Sequence, residues 1–159
     1  MSHQFIEKTP SSPEGLSCKF YLRERSGDDK IDVLIVSFFG DYPKGSLGNE
    51  HGSFIARKAI EGLMSFSVEA IILDFREMNY TYGNTLLKVF EDIYQYMDAG
   101  NDDDDPIFPI LVVLSDKNRT GILSLLTPVG SESMPDFCFD DMDEAIAEAT
   151  EKGAYWLDN

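Results

Sequence analysis

From residue 17 onward, short apolar runs alternate with longer segments whose apolar residues recur every three or four positions. That is the pattern of strands interleaved with amphipathic helices. Residues 19–25 (KFYLRER) alternate well enough for an edge strand, and Ser26, Gly27, Asp28 and Asp29 have the composition of a hairpin turn. Residues 31–39 (IDVLIVSFF) are β-branched and aromatic and nearly all apolar after Asp32, which predicts a buried central strand. A long loop with four glycines follows over residues 40–52 (GDYPKGSLGNEHG). Residues 53–65 then read as a helix, with Ala56, Ala59, Ile60, Leu63 and Met64 on its buried face.

Residues 70–75 (AIILDF) predict a second central strand, and residues 84–98 a helix striped by Leu86, Val89, Phe90, Ile93 and Met97 and stopped by Gly100. A third buried strand over residues 107–115 (IFPILVVLS) precedes a short helix over 120–127, ended by Pro128 and Gly130. Residues 137–139 read as a brief last strand. Asp141, with Glu144 three positions on, has the form of a helix cap, and Met142, Ala145, Ile146 and Ala149 supply that helix's apolar face. The order β-β-α-β-α-β-α-β-α implies a single α/β domain with a mixed, largely parallel sheet behind an N-terminal antiparallel hairpin.

Composition sets the limits of this domain. Residues 1–16, with Pro10, Ser11, Ser12, Pro13 and Gly15, read as a flexible lead-in, and residues 17–159 as the single domain. At 159 residues and 43% hydrophobic, the chain can bury a core without disulfide or metal staples. Cys18 and Cys138 have no CxxC spacing and read as free thiols in a reduced compartment. The start lacks a basic lead and an apolar core region, and the longest apolar runs are strand-sized. The expectation is a cytoplasmic protein with no membrane span. Trp156, next to Tyr155 and Leu157, is expected to fold back onto the sheet edge.

Charge sharpens the picture. The net charge is −16, but residues 1–32 are nearly neutral, with six acids and five bases. Residues 98–105 (DAGNDDDD) hold five acids and no base, and residues 132–159 hold nine acids against Lys152 alone. Such a field repels nucleic acid and anionic lipid and steers a basic protein partner, with on-rates that fall as salt rises.

No catalytic set emerges. The glycine-rich loop lacks the Lys-Ser/Thr ending of a P-loop, and Asp41 and Glu50 stand where a phosphate would be repelled, so it reads as a flexible surface loop. His51 is the single base available for a nucleophilic triad and reads as a solvated loop residue. Asp102, Asp103, Asp104 and Asp105 lack the alternate spacing of a calcium loop and read as a solvated acidic loop. Asp74 stands at the end of the second central strand, and pairing with Arg76 or loop amides accounts for it. Tyr80 and Tyr82 are contact residues of the kind enriched at interfaces, with core packing of at least one of them the alternative. No metal site and no cofactor is expected.

The segments LIVSFFG (34–40), AIILDFREMNYTYGNTL (70–86), residues 109–115 and FDDMDEAIAEA (139–149) together resemble the STAS domain. This is the sheet-and-helix module of anti-sigma-factor antagonists and sulfate-transporter tails. The resemblance covers about residues 17–152 and implies a module that works by docking on proteins. Regulatory members carry a phosphorylated serine at the start of the central helix. Aligned from Asp74, that place falls on Tyr82 and Gly83, with Thr85 two positions late, so the resemblance does not extend to the phosphorylation switch. A weaker resemblance, to crotonase-like and ClpP-like chains, would put an oxyanion hole near Gly83. The second glycine-rich turn it needs is replaced by Asp116, Lys117, Asn118 and Arg119.

The residues therefore point to a non-enzymatic protein-binding module. The first reading is an acidic immunity or antitoxin-type inhibitor of a basic toxin such as a nuclease. The alternatives are a STAS-type regulator of an anti-sigma factor or kinase, and a crotonase-like remnant. Expected contact residues are Asp102, Asp103, Asp104, Asp105, Tyr80, Tyr82, Asp140, Asp141, Asp143 and Glu144.

Overall fold

The computed structural model describes residues 3–10, 12–128 and 133–159. Five strands form one sheet in the order β1-β2-β3-β4-β5: Leu16–Leu22, Val33–Asp41, Ala70–Asn79, Ile110–Val113 and Cys138–Phe139. β1 is antiparallel to β2, and every other pair is parallel. Helices α1 (Asn49–Ser65), α2 (Leu87–Asp98), α3 (Arg119–Leu126) and α4 (Met142–Asp158) follow in the expected alternation, with a 3-10 turn at Gly45–Gly48. The α/β class, the hairpin and the strand-helix order are those expected from the sequence.

The central strands are continuous in apolar residues because both faces of the sheet are covered. On one face Leu34, Val36, Phe38, Ile71, Leu73 and Phe75 pack with Ile55, Ala59, Val89, Ile93 and Ile122 of the first three helices. On the other, Val33, Ile35, Ile72, Leu111 and Val113 meet Ala145 and Ala149 of α4, with Met142, Ile146 and Ala154 packed around them. Burying each large side chain contributes roughly 1.5–3 kcal/mol against chain entropy. Asp141 caps α4 as expected, its carboxylate accepting from the Asp143 amide at 2.9 Å.

Several details correct the sequence reading, beginning with β1, which spans Leu16–Leu22 and not residues 19–25. The long loop is shorter than expected, because α1 begins at Asn49 and the chain already turns helically from Gly45. His51 is consequently not a solvated loop residue. It is buried in the first turn of α1, its ring 6.0 Å from that of Tyr42. β3 does not end at Phe75 but runs to Asn79, so Asp74 lies within the strand. α2 starts at Leu87, not residue 84, and β4 is four residues long, leaving Ile107 outside it. Tyr155, Trp156 and Leu157 continue α4, and Trp156 folds back as expected, edge-on to Phe108 at 5.1 Å. Gly130 lies outside the described residues.

Candidate functional site

Parallel strands deliver their carboxyl ends to one pole of the sheet, and connecting loops there carry the groups a binding module can use. At this pole the chain leaving β2 meets the chain leaving β3. The Tyr42 amide donates to the Asn79 carbonyl at 2.9 Å, and the Gly45 amide to the Tyr82 carbonyl at 3.2 Å. The Tyr80 amide reaches across to the Lys117 carbonyl at 3.2 Å, bringing in the loop after β4.

Side chains lock the junction. The hydroxyls of Tyr42 and Thr85 lie 2.7 Å apart, and the Tyr42 and Tyr80 rings meet edge-on at 5.2 Å. The Tyr80 hydroxyl donates to the Gly83 carbonyl. Burial pushes the Tyr80 phenol up to about 12, with the neighbouring Tyr42 adding to the shift, so it stays protonated as a donor. α1 approaches this network through Gly48 and Gly52. A Cβ on Gly48 would overlap the Tyr42 ring, and one on Gly52 would sit 2.9 Å from the Thr85 carbonyl oxygen and the Tyr42 hydroxyl. Gly83 takes φ +133°, with the backbone of Gly45 beside it. The backbone of Gly45 thus leaves little room for a side chain at Gly83.

A second set of bonds anchors β3 from the side of β4. Asn118, 1% exposed, donates to the carbonyls of Phe75 and Met78 and accepts from the Ser115 amide at 3.1 Å. Ser115 donates to the Arg76 carbonyl at 2.7 Å. These bonds sit where the β2–β3 register slips between Ser37 and Phe39, so the bulged strand has its polar groups satisfied. On the α4 side, Asp74 accepts from Ser37 at 2.6 Å and from Arg76 at 2.9 and 3.1 Å. Burial favours the neutral acid, but the hydrogen bonds from Arg76 and Ser37 and the guanidinium charge outweigh it and hold Asp74 below its ordinary value. The pairing expected for Asp74 is present, and it has the character of structural support.

Among the charged side chains exposed at this pole, such as Glu77 and Lys117, stand apolar and aromatic ones. Tyr82 is 57% exposed, Leu87 37% and Leu47 76%. The acids Asp140, Asp141, Asp143 and Glu144 lie at the same end, beyond β5, where Arg119 pairs with Asp140. Asp102, Asp103, Asp104 and Asp105 do not join them. They follow α2 at the opposite pole, in a turn closed by the Asp102 amide on the Asp105 carboxylate at 2.8 Å. Of the two tyrosines expected as contacts, Tyr80 is buried, the alternative the sequence left open for one of them, and Tyr82 is displayed. Sequence reading missed Tyr42, Leu47 and Asn118. The spacing of Gly48 and Gly52, one helical turn apart, was the available signal for Tyr42's neighbourhood.

Among the described residues no three His, Cys, Asp or Glu side chains gather in a metal-binding group. Both cysteines are free, and burial pushes the Cys138 thiol up to about 12, helped by Asp136 and Asp140. No described helix is long and apolar enough to cross a membrane.

No family model matches the chain, and no curated protein matches it in sequence. Its three-dimensional structure is similar to the crystal structure of an anti-sigma factor antagonist from Mycobacterium paratuberculosis. The match has a TM-score of 0.51 at 17% identity and covers 87% of this chain and 97% of that one. At that identity the likeness is one of fold, and the fold is STAS-like.

Proposed function

We propose that the chain is a non-enzymatic docking module of STAS type, binding a protein partner through the pole formed by the Tyr80–Leu87 segment and the 3-10 turn before α1. The observation that carries this reading is the fold shared with an anti-sigma factor antagonist over nearly the whole chain. The displayed Tyr82, Leu87 and Leu47, on neighbouring segments joined by backbone hydrogen bonds, suit such a role. A rigid aromatic and aliphatic patch loses little freedom on binding. The partner class favoured is an anti-sigma factor or related regulatory kinase. The reading as an inhibitor of a basic toxin rests on charge alone and receives no support from the shared fold.

Titration calorimetry with the anti-sigma factors encoded in the same genome tests this. One of them should bind, and Tyr82→Ser with Leu87→Ser should abolish binding while circular dichroism stays unchanged. Neutralising residues 102–105 to Asn should leave that binding intact. Loss of binding in the Asn variant alone would return the interface to the acidic loop. Failure of every anti-sigma factor to bind, with capture of a basic nuclease instead, would overturn the regulator reading.

A further inference from the structure

At the opposite pole, where β4 begins and α4 ends, a groove of about 470 Å³ opens between the segment entering β4, the segment entering β5 and the last turns of α4. Ile107, Phe137 and Tyr155 line it, with Tyr94 of α2 at one side. Ile107 is 67% exposed and Tyr155 65%, so neither is part of the buried core. Packing of this domain does not account for them. The groove is rimmed by Asp136, Glu148 and Glu151, while its one base, Lys152, has its ammonium 3.8 Å from Glu148. The exposed residues 102–105 continue the acidic field past Pro106.

We propose that this groove is a second docking site, for a basic amphipathic segment of a partner protein. An aliphatic or aromatic side chain of that segment fills the space between Ile107 and Tyr155, and its lysines or arginines face Asp136, Glu148 and Glu151. Charge selects the occupant. A second copy of the chain in a two-fold contact would bring these acids against themselves. Nucleic acid and anionic lipid are repelled by the same field. An apolar centre inside a charged rim is the anatomy of a protein interface, in which a few desolvated anchors supply most of the affinity and the rim supplies on-rate and selectivity. The site is independent of the docking pole proposed above, and both could be occupied together.

The test is an NMR titration of the full chain with three short synthetic helices: leucine–lysine, serine–lysine of equal charge, and leucine–glutamate. The leucine–lysine helix should bind saturably, with shifts centred on Ile107, Phe137, Glu151 and Tyr155. Ile107→Ser with Tyr155→Ser should weaken it about ten-fold, the loss typical of an interface anchor. Glu148→Gln with Glu151→Gln should weaken it and flatten its salt dependence. The Tyr82→Ser, Leu87→Ser variant should bind like the parent, so failure of one pole is separable from failure of the other. The proposal is overturned if the serine–lysine helix binds equally well, if the shifts spread over all acidic surfaces, or if no helix binds. It is also overturned if Ile107 shifts with protein concentration alone, which would make the occupant a second copy.

Discussion

The two ends of the sheet solve opposite problems. At the carboxyl end, three loops are drawn so close that glycine is the only residue that fits at Gly48 and Gly52, and the tyrosine and threonine hydroxyls satisfy one another. At the amino end the loops are also joined, the Glu69 amide donating to the Asp32 carbonyl at 2.9 Å, but Ile107 and Tyr155 face solvent and Asp136, Glu148 and Glu151 gather around Lys152. A chain with fixed resources of stability holds one end rigid by internal contact and leaves the other end with unsatisfied surface. The first arrangement presents a preformed patch, and the second presents adhesive surface to a ligand of complementary charge.

The comparison can be broken by placing matched substitutions at each end. The largest effect is expected for Gly121→Ala at the rigid end, where a Cβ would press on the Thr81 carbonyl, a backbone atom unable to swing aside. A loss of about 3 kcal/mol is expected in urea unfolding, at the upper end of overpacking costs. Ile107→Ser, at the open end, should change stability by no more than about 0.5 kcal/mol, as exposed substitutions do. Equal losses would erase the distinction.

Next comes Asp74→Asn, which removes the charge that Arg76 and Ser37 hold and should cost about 1–3 kcal/mol at neutral pH. Because the folded pKa of Asp74 is depressed, the wild-type advantage is present above the ordinary carboxyl range. It is lost as pH falls through the lower folded value, so the gap between variant and parent should close in acid. A gap that persists unchanged in acid would show that packing, not charge, is at stake. Tyr42→Phe should cost about 1 kcal/mol by orphaning the Thr85 hydroxyl, and adding Thr85→Val should cost little more, since the two share one bond. Additive losses in that double-mutant cycle would mean the bond contributes nothing. The smallest effect is expected from replacing residues 102–105 with Asn. Stability should stay within about 0.5 kcal/mol or rise slightly as repulsion is relieved.

Element types were legible in the sequence because burial imposes a period, and the alternation of periods fixes the layering. Boundaries failed where tertiary contacts, not periodicity, set them. Arg76 and Glu77 interrupt the apolar run and suggest a strand end, yet β3 continues because Gly40 and Asp41 of β2 still pair with Met78 and Asn79. Asn49, Glu50, His51 and Gly52 look like loop residues, yet they are helical because the glycines serve close approach to Tyr42 and Thr85, not turning. Ile107 was read as strand because an exposed apolar residue is indistinguishable from a buried one until the fold is built. The candidate site was half readable. Tyr82 and the acids could be named, but that Tyr80 is buried and that the acids divide between two poles depends on the parallel topology.

The contact between Gly48, Tyr42 and Thr85 also constrains how this chain can drift. Tyr42 and Gly48, near neighbours in sequence, share one small volume with the distant Thr85, so none can change size alone. A descendant that gains a methyl group at Gly48 must first shed bulk at Tyr42 or Thr85, and one that loses the Tyr42 ring is free to lose the glycine as well. Among aligned descendants, substitutions at these positions should arrive as a linked set, while Ile107 and Tyr155 vary with whatever they touch.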